Sequence, residues 1–196
     1  MPETPPVDIP GTPDTELADV ARAVAYESRG YLTTVTEVAA GSNPEAALPL
    51  LLLAVSDMLA AGARLGAMVD VVPADRFEPD AGPDADLDPL RLGLSNVLEG
   101  IDEYAEVVDP LLDPQLGVGM LSTDLVTIAG ALTQGLAHYE AGRELEALWW
   151  WQFSYLSSWG ERASSALRVL QALLGHLRLV VPDDVAAEAE YDALQP

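Results

Sequence analysis

Apolar residues recur in steps of three and four along five long stretches of this chain, and that spacing is what most constrains its fold. Residues three and four apart share one face of an α-helix, so each run must bury a stripe and leave its other side in water. The first run covers residues 14–40, with Leu17, Val20, Val24, Tyr31, Val35 and Val38 on the stripe. Thr12-Pro13 or Asp14 can start it, and Gly41-Ser42-Asn43 ends it. The second covers residues 44–69. Its stripe is Leu48, Leu52, Val55, Leu59, Gly62, Gly66 and Val69, and the two glycines allow a neighbouring helix to come close. Pro49 weakens its first turns.

A third run opens at Asp88-Pro89, with Asp88 as N-cap, and carries Leu90, Leu94, Val97, Ile101, Tyr104 and Val108 on one side. The fourth runs over residues 122–141, from Ser122 as N-cap, with Asp124 in the first turn and Gly142 as the C-terminal cap. The fifth, residues 144–177, places Trp149, Phe153, Leu156, Gly160, Ala163, Leu167, Leu170 and Leu174 on its stripe. Only Gly142 and Arg143 separate runs four and five, so the two helices must be antiparallel neighbours. No stretch reads as a strand. The expected fold is an all-α, single-domain bundle of about five helices over residues 14–178. Flanking it are a Pro-rich acidic tail, residues 1–13, and an acidic tail, residues 179–196, both read as disordered.

Charge narrows the function classes. Against 32 acidic residues stand nine basic ones, all Arg, for a net charge of −23. Binding to phosphates through counterion release needs clustered Lys or Arg, so direct nucleic-acid binding is not expected; anionic lipid surfaces are disfavoured likewise. A basic protein partner is attracted. Without cysteine there is no disulfide, thiolate metal site or thiol nucleophile. The first residues lack the basic and apolar regions of a signal peptide. Pro49, Asp57 and Arg64 interrupt the apolar stretch 46–69, which reads as a core helix, so a cytoplasmic protein is expected.

The residues most able to carry a function lie at Trp149-Trp150-Trp151-Gln152-Phe153, followed by Tyr155 and Trp159. Adjacent helical residues point about 100° apart, so three Trp in a row cannot share one face. With Trp149 on the core stripe, Trp151, Tyr155, Trp159 and Arg162 form a flank, and Trp150 falls on the polar side. A flank of this kind either packs beneath the 70–87 loop or the C-terminal tail, or serves as a partner surface or ligand cleft. The candidate binding residues are therefore Trp150, Trp151, Gln152, Tyr155, Trp159 and Arg162. Asp57 and Arg64 are read as reaching a charge elsewhere or snorkelling out. His138 and His176 have no metal or nucleophile motif around them, and Asp84, Asp86 and Asp88 match a calcium loop poorly. No catalytic residue, metal or cofactor is expected, and no phosphate loop is present.

Two resemblances arise from these segments. Residues 135–148 look like the middle of a tetratricopeptide hairpin, with small residues where two helices touch; no second copy follows at the repeat period, so the likeness reads as convergent. More specifically, Glu146-Ala147-Leu148-Trp149-Trp150-Trp151-Gln152-Phe153, Trp159-Gly160 and Ala166-Leu167-Arg168 resemble the signature of a bacterial domain-of-unknown-function family. The likeness takes in residues 51–79 and most of the chain outside its tails. It implies a helical domain in a bacterial cytoplasm and carries over no reaction. The leading expectation is a non-enzymatic interaction or regulatory protein that uses an aromatic surface on its last long helix. The alternatives are a ligand-binding or enzymatic bundle with a cleft near Trp151, Tyr155, Trp159 and Arg162, and an acidic mimic of nucleic acid.

Overall fold

The computed structural model describes residues 13–73, 85–108 and 114–179. The tails read as residues 1–13 and 179–196 lie outside the described residues except for Pro13 and Leu179, as do residues 74–84 of the long loop. The domain is helical: α1 (Pro13–Ala39), α2 (Pro44–Ala67), α3 (Asp88–Val97), α4 (Leu121–Glu140), α5 (Glu144–Ser154) and α6 (Gly160–Leu179). A five-residue wide turn of π geometry, Tyr155–Trp159, joins α5 to α6. The fifth helix of the sequence reading is thus one long rod with a wide turn inside it.

The core sits between α1, α2, α4 and the α5–α6 rod. Tyr31 of α1, fully buried among Val24, Val35 and Val38, donates its hydroxyl to the Leu125 carbonyl of α4 at 2.9 Å. α2 is long and apolar enough to cross a membrane by composition, and nine of its residues are buried in the bundle. Asp57 and Arg64 point to solvent, as snorkelling groups do. The glycine stripe of α2 does bring a neighbour close. A methyl group at Gly62 would lie 2.5 Å from the Tyr155 ring and 2.6 Å from Trp159. Gly142 takes a φ of 75° between α4 and α5, which only glycine adopts without strain.

The third run does not continue as a helix to Val108. It stops at Leu98, Gly100 turns the chain at φ 83°, and Glu103–Val108 pairs antiparallel with Gln115–Met120 as strands β1 and β2. The expectation that no stretch forms a strand is corrected here. Tyr104, Glu106 and Val108 face one side of the ribbon, opposite Gly119, Gly117 and Gln115. Gly119 leaves room for the Tyr104 ring to lie across it, and Gly117 for Val108. Alternation of Leu116, Val118 and Met120 with glycines is a period of two, which helical counting overlooks.

Ser122 is not the N-cap of α4, which begins one residue earlier. The buried carboxylate of Asp102 does that work from the loop before β1: one oxygen accepts from the Ser122 backbone N–H and the other from the Ser122 hydroxyl, both at 2.7 Å. Asp88 likewise lies inside α3 rather than capping it.

Candidate functional site

The aromatic run divides cleanly, and not as its spacing suggests. Trp151 and Trp159 are fully buried, Gln152 and Ser154 are buried, and Tyr155 is half-buried. Phe153 is 51% exposed and Leu156 62% exposed, with Trp149 and Trp150 half-buried beside them. Up to the wide turn the faces are exchanged: Trp151 and Trp159 of the flank are core, and Phe153 and Leu156 of the expected core stripe face outward, whereas beyond the turn Gly160, Ala163 and Leu170 are buried as the stripe predicts. The wide turn is the cause. Its closing bond runs from the Gly160 N–H to the Tyr155 carbonyl, five residues back instead of four, so this turn consumes one extra residue. Counting in regular turns backward from Ala163 therefore lands one residue late on α5, at Trp149 and Phe153 instead of Leu148 and Gln152. Ser154 and Ser157 support the turn. Their hydroxyls donate to the Trp150 and Phe153 carbonyls at 2.6 and 2.7 Å, an arrangement that bends helices.

Each buried aromatic is satisfied. The Trp151 indole lies directly on Gly135 of α4, where any side chain would collide with it, and its N–H reaches the Leu132 carbonyl at 3.4 Å. Trp159 donates to the Ser154 hydroxyl at 3.2 Å and meets Tyr155 edge-on at 4.8 Å. Tyr155 and Trp159 fill the space over Gly62, Gly66 and Gly160, so the cleft expected beside them is occupied by their own rings and by α2. Gly160 is a tight point too, packed against Tyr155 of its own rod. Gln152 has a structural task. Its amide N–H donates to Leu65 O at 2.9 Å and Val69 O at 3.4 Å, and its carbonyl accepts from Val71 N at 2.8 Å. It pins the segment that leaves α2 against α5.

On the outward side, Trp149 and Phe153 stack at 5.6 Å with planes 10° apart, and Trp150 is tilted against both at 6.3 and 6.4 Å. Trp150 is held by its N–H, which donates to the Ala131 carbonyl at 2.8 Å. These rings, with Leu156, make a rigid, partly exposed aromatic face.

Arg162 leaves the aromatic flank and joins a second cluster under the β1–β2 ribbon. Its guanidinium lies 3.3 Å from Glu106 and 3.4 Å from Asp124, and Tyr104 donates its hydroxyl to Asp124 at 2.5 Å. Arg168 sits over the Tyr104 ring at 5.9 Å and donates to the Ala105 carbonyl at 3.3 Å. Burial pushes the Asp124 carboxyl above the usual carboxylate range, with the Tyr104 hydrogen bond and Arg162 opposing it. Burial, then Asp124, raise the Tyr104 and Tyr31 hydroxyls. For Arg162, burial works against the charge, and Asp124 and Glu106 outweigh it. Both arginines are engaged by groups of the chain itself, and the cluster latches the ribbon onto α4 and α6. Sequence reading missed Tyr104 and Glu106 because it ran the third helix on through Tyr104, and residues two apart on a helix do not share a face as these two do on a strand; Gly100 was the signal that the helix ends. Among the described residues no group of three or more acidic or His side chains is placed to hold a metal ion.

An acid whose folded pKa is raised contributes stability that is fully present below its unfolded pKa, near 3.9, and lost as pH rises through the folded value. Acidification from neutral pH toward about 4 should therefore stabilise the wild-type chain more than the Asp124→Asn variant, in urea titrations at each pH. A wild-type chain that loses ground to the variant on acidification would contradict this account of Asp124.

A family model for a domain of unknown function, DUF5063, matches residues 15–176, nearly the whole helical domain. The chain belongs to the DUF5063 family. Among solved structures, protein BF1032 from Bacteroides fragilis superposes on this DUF5063 chain with a TM-score of 0.61. The match covers 81% of this chain and 92% of BF1032 at 13% identity, a likeness of fold alone. No curated protein matches this DUF5063 chain.

Proposed function

We propose that this protein is a non-enzymatic interaction module of a bacterial cytoplasm, and that it meets its partner through the outer side of α5. The observation that carries this reading is the face of Trp149, Trp150, Phe153 and Leu156. Large rings locked by stacking and by a hydrogen bond supply contact area at little entropic cost, and such anchors dominate the energy of protein interfaces. The net charge of −23 favours a basic protein over nucleic acid or an anionic membrane.

The test is a quantitative comparison of proteins retained from lysate of the source cells by immobilised wild-type chain and by Phe153→Asp. Tyr26→Asp, at a 74% exposed tyrosine on α1, is the control surface. Proteins retained by the wild type and by the control should be lost to Phe153→Asp, with circular dichroism unchanged. An identical retained set for all three would refute the proposal.

A further inference from the structure

A deeper feature lies at the N-terminal end of α5, before the aromatic face. One turn before Trp149, Leu145 enters an apolar trough of about 760 Å³ between the start of α1 and the segment leaving α2. Leu17, Val20, Met68, Val71 and Leu145 form its floor, and Val69 and Val72 stand on its rim, 90% and 75% exposed. The charged groups lining it are Glu16 and Asp70, and no basic residue among the described ones does so. The rim is preorganised, because Gln152 holds the backbone of Val69 and Val71. Leu145, Trp149, Phe153 and Leu156 extend the apolar surface over three turns of helix, roughly 16 Å.

We propose that trough and aromatic face form one groove for an amphipathic helix of a partner protein, with an apolar stripe facing Val69, Val72, Trp149 and Phe153 and with Lys or Arg on its flanks. The inference rests on the reading of α5's outer side as the partner surface and adds the partner's chemistry. Apolar anchors three and four residues apart are how a helix fills such a groove. The charge selects the sign of its flanks. Glu16 and Asp70 on the walls attract cations, whereas a second copy of this chain would bring a further −23 to the contact.

The probe is a labelled 18-residue Leu/Lys peptide with leucines at helical spacing, compared with a Leu/Glu peptide of the same pattern and a scrambled Leu/Lys peptide. The wild-type chain should bind the first at least about tenfold more tightly than either control. Val69→Asp should weaken that binding by about tenfold or more, although it makes the protein more negative, and Val118→Asp on β2 should leave it unchanged. If charge alone draws the peptide, Val69→Asp binds as tightly as wild type and the proposal fails.

Because the chain has no cysteine, Val72→Cys can carry a single benzophenone label. With the Leu/Lys peptide present, transfer of the label to the peptide supports the groove. Transfer to residues 1–12 or 74–84 of the same chain, or to a second copy, shows a different occupant and overturns it. Should Phe153→Asp lose the native partners while the wild type ignores the Leu/Lys peptide, only the partner's chemistry is refuted. Should Phe153→Asp keep those partners, the reading of α5's outer side falls as well.

Discussion

Trp151→Ala should cost the domain about 3–5 kcal/mol, as truncation of a buried Trp does when its surroundings cannot collapse. The ring is fully buried, tilted against Tyr139 at 6.3 Å, and seated on Gly135, a backbone that has nothing with which to fill the void. Phe153→Ala, two residues on, should cost about 1 kcal/mol or less, because half of that ring is already in water. Urea denaturation of the two variants at fixed pH measures the difference directly. The helical spacing alone, read without the wide turn, puts Phe153 on the core stripe and Trp151 only on a flank beside it, and so makes Phe153 the costlier truncation. A larger loss for Phe153→Ala would show that the faces of α5 are assigned backwards here.

Gln152→Leu should be the next most damaging change, at about 2–4 kcal/mol. Leucine nearly fills the volume but makes none of the amide's three hydrogen bonds. The Val71 N–H is left without its acceptor inside the protein, and the carbonyl of Val69 loses its donor. A buried polar group stripped of its partner costs about 1–3 kcal/mol. The loss also has a local signature. Hydrogen exchange at Val71 should accelerate more than at Tyr31 or Val55 in the core, since the segment leaving α2 comes free of α5 first. Uniform acceleration across the domain would mean that Gln152 serves only as bulk.

Most of the helical frame was legible in the amino-acid order. Five apolar runs with three-four spacing, and Pro44 and Pro89 in the first turns of α2 and α3, locate the starts of α1 to α5 to within a residue, and a glycine after each of the first and fourth runs does the same for the ends of α1 and α4. Two things were not legible, for different reasons. The β1–β2 ribbon lies in a short stretch where Tyr104 and Val108 also fit a helical stripe, and strand pairing depends on a partner segment that no local pattern names. The wide turn has no pattern of its own; serines within it are common in regular helices too. Its effect on the candidate site was nonetheless large. Of the six residues singled out from the sequence, Trp151, Gln152 and Trp159 are buried, Tyr155 is half-buried against α2, and Arg162 belongs to the latch under the ribbon. Trp150 alone remains on the aromatic face. Phe153 and Leu156, placed in the core by regular counting, take the places of the others.

The turn at Tyr155–Trp159 is also a joint that uncouples chain length from orientation. It absorbs one surplus residue, so the halves on either side keep the directions they would have in an unbroken α-helix one residue shorter. Removing a residue from this stretch would restore regular four-residue bonding and leave both faces where they are. Forcing regular four-residue bonding while keeping the full length would turn one half by about 100° relative to the other. Trp149 and Phe153 would then swing toward the core, or Ala163 and Leu170 away from it. Relatives whose rods differ by one residue here should therefore be matched by the direction each side chain takes, because a gapless alignment would equate an outward ring with a buried one.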